Sequence, residues 1–436
     1  MKNNKGITLV ALVVTIVVLL ILAGVSINLV LGDNGIIAKA KDAETKSAEA
    51  SQNDLIGMNE LAQQLEEQIN GSAGGSGAGT KVPAEATAET APYFPDNTFT
   101  KKEGTIDKGL VIQDASGNEY VWVVVPRTTA VYKKTGLGKT TFTDADYTNI
   151  ETDLKNYTST YVTEEGYSDT HADDTANVGW LTSDEYTELK NSMLKSVYEN
   201  GGFYVGRYEA GIGTNRNSPG PTNSDGKYTI EEMTTPVSKA DAYPYTYVTR
   251  TQAQNLASKV NSGTKTSSLM FGVQWDLVLA FMSKDTEKIN QDTLKELISN
   301  STTIGNYYNS TFDLNRGKYA QKGQLGNEWK NFDSALGSIV VSNETTGKMK
   351  KTEQSSYENG ILLTTGGTEQ SKVMNIYDIA GNVWEWTLEK TFYTDSPCAS
   401  RGGSFDYTGS SNPAAGRVNS STVFSYFSIG FRVSLF

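Results

Sequence analysis

Asn375-Ile376-Tyr377-Asp378-Ile379-Ala380-Gly381-Asn382-Val383-Trp384-Glu385-Trp386-Thr387 is the densest stretch of the chain. Two tryptophans and two carboxylates stand close together in it. Trp384 and Trp386 read as core aromatics, because an indole carries a large apolar area and a single polar N–H. Asp378 and Glu385 have two open readings. In one, Asp378 makes a turn and Glu385 a buried ion pair, with Arg432 as its partner. In the other, their hard oxygens suit Ca²⁺. Further along come Arg401-Gly402-Gly403-Ser404-Phe405, then Arg417, then Ile429-Gly430-Phe431-Arg432-Val433.

Outward from this stretch the texture from residue 93 onward is globular. Residues 110–112 and 120–125 are β-rich and flank Asp114-Ala115-Ser116-Gly117-Asn118, which predicts a hairpin. Gly202-Phe203-Tyr204-Val205-Gly206-Arg207-Tyr208 reads as a buried strand. Helical patterns cover 251–260, 269–282 and 286–298. Short strands, a few helices and long loops indicate an α+β domain over 93–436. No internal repeat is visible, and no good linker divides this segment.

Composition narrows the chemistry. The 436 residues are 37% hydrophobic and include 23 Tyr, enough for a substantial core. A formal charge of −12 with no basic stripe argues against nucleic acid as a partner. Cys398 is the only cysteine and His171 the only histidine. An intrachain disulfide and a Cys/His zinc site are therefore excluded. His171 lies in Ser168-Asp169-Thr170-His171-Ala172-Asp173-Asp174, which reads as a solvated polar loop rather than a catalytic station.

The amino terminus is organised differently. After Met1-Lys2-Asn3-Asn4-Lys5-Gly6, residues 7–31 carry no charge. As a helix they would reach roughly 37 Å, against a hydrocarbon core of about 30 Å. The two lysines favour the cytoplasmic side, which places the bulk of the chain outside. A plain single-pass anchor is one reading. Gly32-Asp33-Asn34-Gly35 would interrupt the helix, and Met58, Leu61, Leu65 and Ile69 make one apolar stripe on a second segment. Residues 71–80 are a Gly/Ser linker that runs on into Ala/Thr/Glu/Pro-rich sequence.

Two resemblances attach to these residues. Lys5-Gly6-Ile7-Thr8-Leu9-Val10-Ala11-Leu12 resembles a type IV prepilin leader, which implies cleavage between Gly6 and Ile7 with the helix retained. Pilins usually carry Glu at the fifth mature position, where this chain has Ala11, so a minor or tip subunit fits better than a bulk one. The domain division is then 1–6 leader, 7–70 transmembrane or pilin-type helix, 71–92 linker, and 93–436 head. The head resembles the formylglycine-generating enzyme, or sulfatase-modifying factor, family, through the 375–387 string, Arg401-Gly402-Gly403-Ser404, Gly430-Phe431-Arg432, the Phe203 to Ala210 segment and the Trp275-Asp276 helix. That resemblance implies a C-type-lectin-like fold. It also implies two catalytic cysteines after the Gly-Gly-Ser motif, near Tyr407 and Asn412, and neither is Cys. Thiolate and copper chemistry both need sulfur, so neither oxidation nor copper binding is expected. Carried over residue by residue, a calcium site would use the side chains of Asp378 and Glu385 and the carbonyls of Gly381 and Val383.

The window 404–428 reads SFDYTGSSNPAAGRVNSSTVFSYFS. It is rich in Ser, Tyr, Asn, Phe and Gly, the chemistry that paratopes favour. The binding candidates are Asp406, Tyr407, Ser410, Ser411, Asn412, Val418, Asn419, Phe424, Tyr426 and Phe427. Alternation over 424–428 suggests a strand there. The window lacks Lys, Glu, Gln, Met and Trp, and it resembles the variable proteins of diversity-generating retroelements, in which adenine-directed change cannot produce those five residues. The expected function is a non-catalytic, surface-displayed binding protein or adhesin. Its partners would be the membrane, pilin-like subunits or their assembly machinery, and an extracellular protein or glycan. A formylglycine-generating-type oxidase and a purely structural minor pilin are the alternatives.

Overall fold

A computed structural model describes residues 94–285, 288–289, 294–322, 329–332 and 337–436. The leader, helix and linker readings for 1–92 lie outside the described residues. The chain separates into two compact units, Met1–Gly77 and Ala78–Phe436. The second holds every described residue.

This unit mixes helices with a larger share of sheet. The 110–125 segment forms the expected hairpin, β2 (Val111–Gln113) against β3 (Glu119–Val124). With β1 (Thr100–Glu103), β5 (Gly202–Gly206), β8 (Ser267–Leu269) and β19 (Val433–Leu435) it makes a six-stranded sheet, ordered β1-β2-β3-β5-β19-β8. The chain's last strand thus lies inside the sheet that the head's first strands begin.

A second sheet carries the site. Its order is β17 (Arg417–Ser420), β16 (Cys398–Arg401), β15 (Trp384–Thr391) and β18 (Ile429–Phe431), with β4 (Tyr167–Ser168) also on β15. The β15–β18 pairing is parallel, while β15–β16 and β16–β17 are antiparallel. Smaller sheets join β10 (Lys318–Gln321) to β11 (Lys330–Asn331) and β14 (Ile361–Leu363), and β13 (Met349–Lys351) to β9 (Phe312–Asp313) and β12 (Val340–Ser342). A short ribbon pairs β6 (Gly211–Ile212) with β7 (Tyr243–Pro244).

Helices α1 (Asp144–Tyr157) and α2 (Ser183–Asn200) open with reciprocal caps, Thr143 with Asp146 and Thr182 with Glu185. Gly201 stops α2 in the left-handed region. Helix α3 (Arg250–Ala257) is capped in the same way by Thr249 and Gln252, and it starts one residue before the expected 251. Helix α4 (Gly272–Met282) is buried at every residue and packs on both β3 and β15. A helix apolar all round belongs between layers, and here it joins the two sheets. The expected 269–282 helix is therefore shorter, because 267–269 is strand. Of the expected 286–298 helix, the described residues hold α5 (Leu294–Ser299). Among the described residues no helix is long and apolar enough to cross a membrane.

Candidate functional site

The 375–387 stretch owes its density to turns. Met374, Asn375, Asp378, Gly381 and Asn382 all have positive φ, so the backbone folds back on itself repeatedly before β15 begins. Side chains meet the polar groups that these turns leave open. Asn382 donates to Glu209 Oε2 (2.6 Å) and accepts from Asn306 Nδ2 and the Leu363 N–H, both at 3.0 Å. Glu209 Oε1 accepts the Val383 N–H at 3.1 Å. Burial, then the charges of Asp378 and Glu385, push the Glu209 carboxyl well above the usual range.

The two carboxylates of the proposed calcium set are already engaged. Glu385 accepts from Arg432 Nε (3.1 and 3.0 Å) and from Nη2 (2.5 Å). Arg432 spends its other donors on Gly206 O (3.0 Å) and Tyr377 O (2.8 Å). Asp378 accepts from Ser371 Oγ (2.6 Å) and the Gly366 N–H (2.8 Å). Burial raises Asp378, and it raises Glu385 to about 6 against the opposing pull of Arg432. A guanidinium thus takes the place a cation would need at Glu385. The arrangement fits the turn-and-ion-pair reading of these residues and does not fit Ca²⁺. Among the described residues no group of three or more His, Cys, Asp or Glu is arranged to hold a metal ion.

The second sheet has two chemically distinct faces. Glu385, Arg401 and Arg417 stand in one row across β15, β16 and β17, and Trp386, Ser400 and Val418 stand in the next. Neighbouring residues on a strand point to opposite faces. The arginine face meets α4: Arg401 donates to Asp276 (2.7 Å) and Glu389 (3.2 Å), and Arg417 to the same two residues (2.8 and 3.0 Å). Two arginines and two carboxylates make a neutral buried quartet.

The other face opens into a cavity of about 470 Å³. Trp384, Ser400, Ser420, Ser428 and Ile429 form its buried floor. Tyr407, Phe424 and Tyr426 stand at its rim, 43%, 40% and 46% exposed. Ser396, Asp406, Val418, Asn419 and Ser421 complete the lining. The Gly402-Gly403 pair sets the first wall. Both have positive φ, and a Cβ on Gly403 would lie 2.3 Å from Asn412 O. Only glycine lets the 404–412 loop turn this tightly against its own start. The Tyr308 N–H then bonds Tyr407 O at 3.1 Å and fixes that loop.

Of the expected binding residues, Asp406, Tyr407, Val418, Asn419, Phe424 and Tyr426 converge on the cavity. Ser410, Ser411 and Asn412 do not; they hydrogen-bond within their own turn, Thr408 to Ser411, Asn412 to Ser411, and Ser410 with Thr408. Phe427 is buried against Phe405 and is not part of the lining. The expected strand over 424–428 is a loop, because no neighbouring strand pairs with it; the Tyr426 carbonyl instead takes the Tyr247 N–H at 3.0 Å. Trp386 is core, with its N–H on Val248 O, whereas Trp384 is buried and also lines the cavity. The serines of β16 and β17 carry no distinctive local signal, although β-strand alternation puts Ser400 and Trp386 in register once the pairing is known. His171 is half-buried: it bonds Leu181 O at 2.8 Å and stacks on Trp180. Cys398 is buried in β16, and burial pushes its thiol up to about 11.

No family model and no curated protein matches the chain. Two solved structures are similar at low level. CarF is 14% identical, with a TM-score of 0.26 over 53% of this chain and 85% of CarF. Treponema denticola variable protein 1 is 12% identical, with a TM-score of 0.22 over 73% of this chain and 95% of that one. TM-scores this low do not establish a shared fold.

Proposed function

We propose that this chain is a non-catalytic binding protein that displays the cavity on the second sheet to an extracellular partner. The observation that carries the reading is the convergence of Asp406, Tyr407, Val418, Asn419, Phe424 and Tyr426, with Trp384, on one cavity. Rigid amphipathic rings at an open rim above small hydroxyl groups are what adaptable recognition surfaces use. The alternative of thiol oxidation lacks support in the side chains. Tyr407 and Asn412 stand where the resembled enzymes have cysteine, and Cys398 is buried with a thiol too basic to ionise at neutral pH.

In the same reading the pilin-type amino terminus supplies the display, with residues 7–31 as the anchor in a membrane or in a minor or tip position of a filament. Diversification of 404–428 by a retroelement belongs to the same reading, since nine of its residues line the cavity. The test is adhesion by cells displaying the full chain, compared with a variant carrying Tyr407→Ala, Phe424→Ala and Tyr426→Ala together. Adhesion should be lost while surface display persists. Unchanged adhesion would leave the purely structural pilin reading in its place. A reverse transcriptase and template repeat beside the gene would establish diversification, and a locus without them would end that part.

A further inference from the structure

We propose that the cavity takes an uncharged saccharide and holds it without a metal ion. This rests on the cavity being the binding site and adds the chemistry of what enters it.

Charge narrows the ligand first. Among the described residues no Lys, Arg or His lines the cavity, and Asp406 is its only ionisable carboxylate. That carboxylate is spent. Its Oδ2 lies 3.4 Å from Lys322 Nζ, and its Oδ1 accepts from Ser404 Oγ at 2.6 Å. Lys322 is itself held over the Tyr357 ring at 3.9 Å. A cationic ligand would have to displace Lys322, and an anionic one would meet Asp406 with no cation of its own. Neutral ligands meet neither cost.

The remaining polar lining is almost all hydroxyl: Ser396, Ser400, Ser420, Ser421 and Ser428, with the Asn419 amide. A hydroxyl both donates and accepts, so it matches the hydroxyls of a sugar in either direction. Ser400 Oγ is the sharpest indicator. It sits at the floor, its residue is fully buried, and among the described residues it has no hydrogen-bond partner. Buried hydroxyls without partners are uncommon, and Ser400 is one of the residues that line the cavity. The aromatic rim suits the flat C–H faces of pyranose rings, with Tyr407 on one loop and Phe424 and Tyr426 on the other. The volume of about 470 Å³ admits one or two such rings.

An extended peptide is the competing occupant, and the edge beside the cavity disfavours it. Strand addition needs a run of open main-chain groups. β17 is the edge strand, yet Glu164 Oε1 already accepts the Arg417 N–H at 3.2 Å. Beyond the other end of β17, Asn177 Nδ2 donates to Thr422 O at 2.9 Å. One main-chain group at each end of this short edge is thus already taken, which disfavours pairing. Among the described residues no group of three or more His, Cys, Asp or Glu could hold a metal ion, and Asp406 is the one carboxylate in the lining, so binding independent of divalent metal is part of the proposal.

The experiment uses the full-length chain on a printed array of neutral, sialylated and sulfated oligosaccharides, with and without EDTA. The strongest neutral oligosaccharide is then titrated by calorimetry and by the change in total tryptophan fluorescence, to which Trp384 in the lining contributes. The expected result is binding to neutral oligosaccharides that EDTA does not change. Ser400→Ala should weaken it about three- to ten-fold, the range of one neutral hydrogen bond. Tyr407→Ala and Phe424→Ala should weaken it about ten-fold or more, with unchanged circular dichroism. No binding, binding only to acidic glycans, or loss with EDTA overturns the saccharide assignment. The cavity would still be the binding site if the triple rim variant abolished adhesion to a protein ligand. Neutral glycan binding that none of the three substitutions alters would overturn the cavity itself.

Discussion

Replacing Arg432 by Leu tests the centre of the fold most directly. Arg432 is fully buried and Glu385 is 1% exposed. The substitution removes three contacts to Glu385 and the donors to Gly206 O and Tyr377 O. Breaking a buried ion pair from one side costs roughly 3–5 kcal/mol. Two buried carbonyls left without donors add about 1–3 kcal/mol each, partly relieved by rearrangement. The sum is on the order of 5 kcal/mol, comparable with the whole stability of many domains. Equilibrium unfolding in urea, followed by tryptophan fluorescence, reads it, because all six tryptophans lie in the second unit. The destabilisation should be smaller at pH 5 than at pH 8. Without Arg432 the Glu385 carboxyl rises further, and a group that binds its proton more tightly when folded adds stability at low pH and loses it as pH rises. Adding Glu385→Gln should recover part of the loss. A single variant within about 1 kcal/mol of the parent, or a double variant no better than the single, would refute the ion pair as the anchor of this segment.

Other outcomes rest on the same geometry. Lys351 is buried, its ammonium bonded to Tyr308 O (2.9 Å) and Ser310 O (2.6 Å), and burial lowers it from 10.5 to about 7. The unfolded chain therefore holds a proton that the folded one releases, so stability should rise with pH between about 7 and 10.5, and Lys351→Met should flatten that slope in urea titrations. Gly403→Ala should cost about 2 kcal/mol or more by thermal unfolding, since φ is +76° and the added methyl would meet Asn412 O. Phe424→Ala and Tyr426→Ala, by contrast, should each change stability by no more than about 0.5 kcal/mol, because their rings are exposed at the rim.

The sequence carries the elements that announce themselves locally. The 110–125 hairpin is legible from its turn residues, and the Glu385–Arg432 pair is one of two readings that charge and burial allow. Helices α1 and α2 are harder to see, because their apolar positions are sparse; their start signals are the caps, Thr143 with Asp146 and Thr182 with Glu185. The rim of the cavity is visible in the composition of 404–428. The floor is not: Ser400, Ser420 and Ile429 come together only through non-local pairing of β15 with β16 and β18, and of β16 with β17, whose registers no local pattern encodes. Phe427 and Ser410 show the limit from the other side. Both have the composition of contact residues, and turn geometry sends one inward and the other away.

The two-faced second sheet has a consequence for change. Alternation along each strand places the Arg401–Asp276–Arg417–Glu389 quartet behind and the cavity in front. A new side chain at Val418 alters the front without touching the salt bridge that its neighbour Arg417 makes behind. Recognition in such a molecule is rewritable: the front can be recast position by position, while the framework that holds it is anchored on the reverse of the same strands.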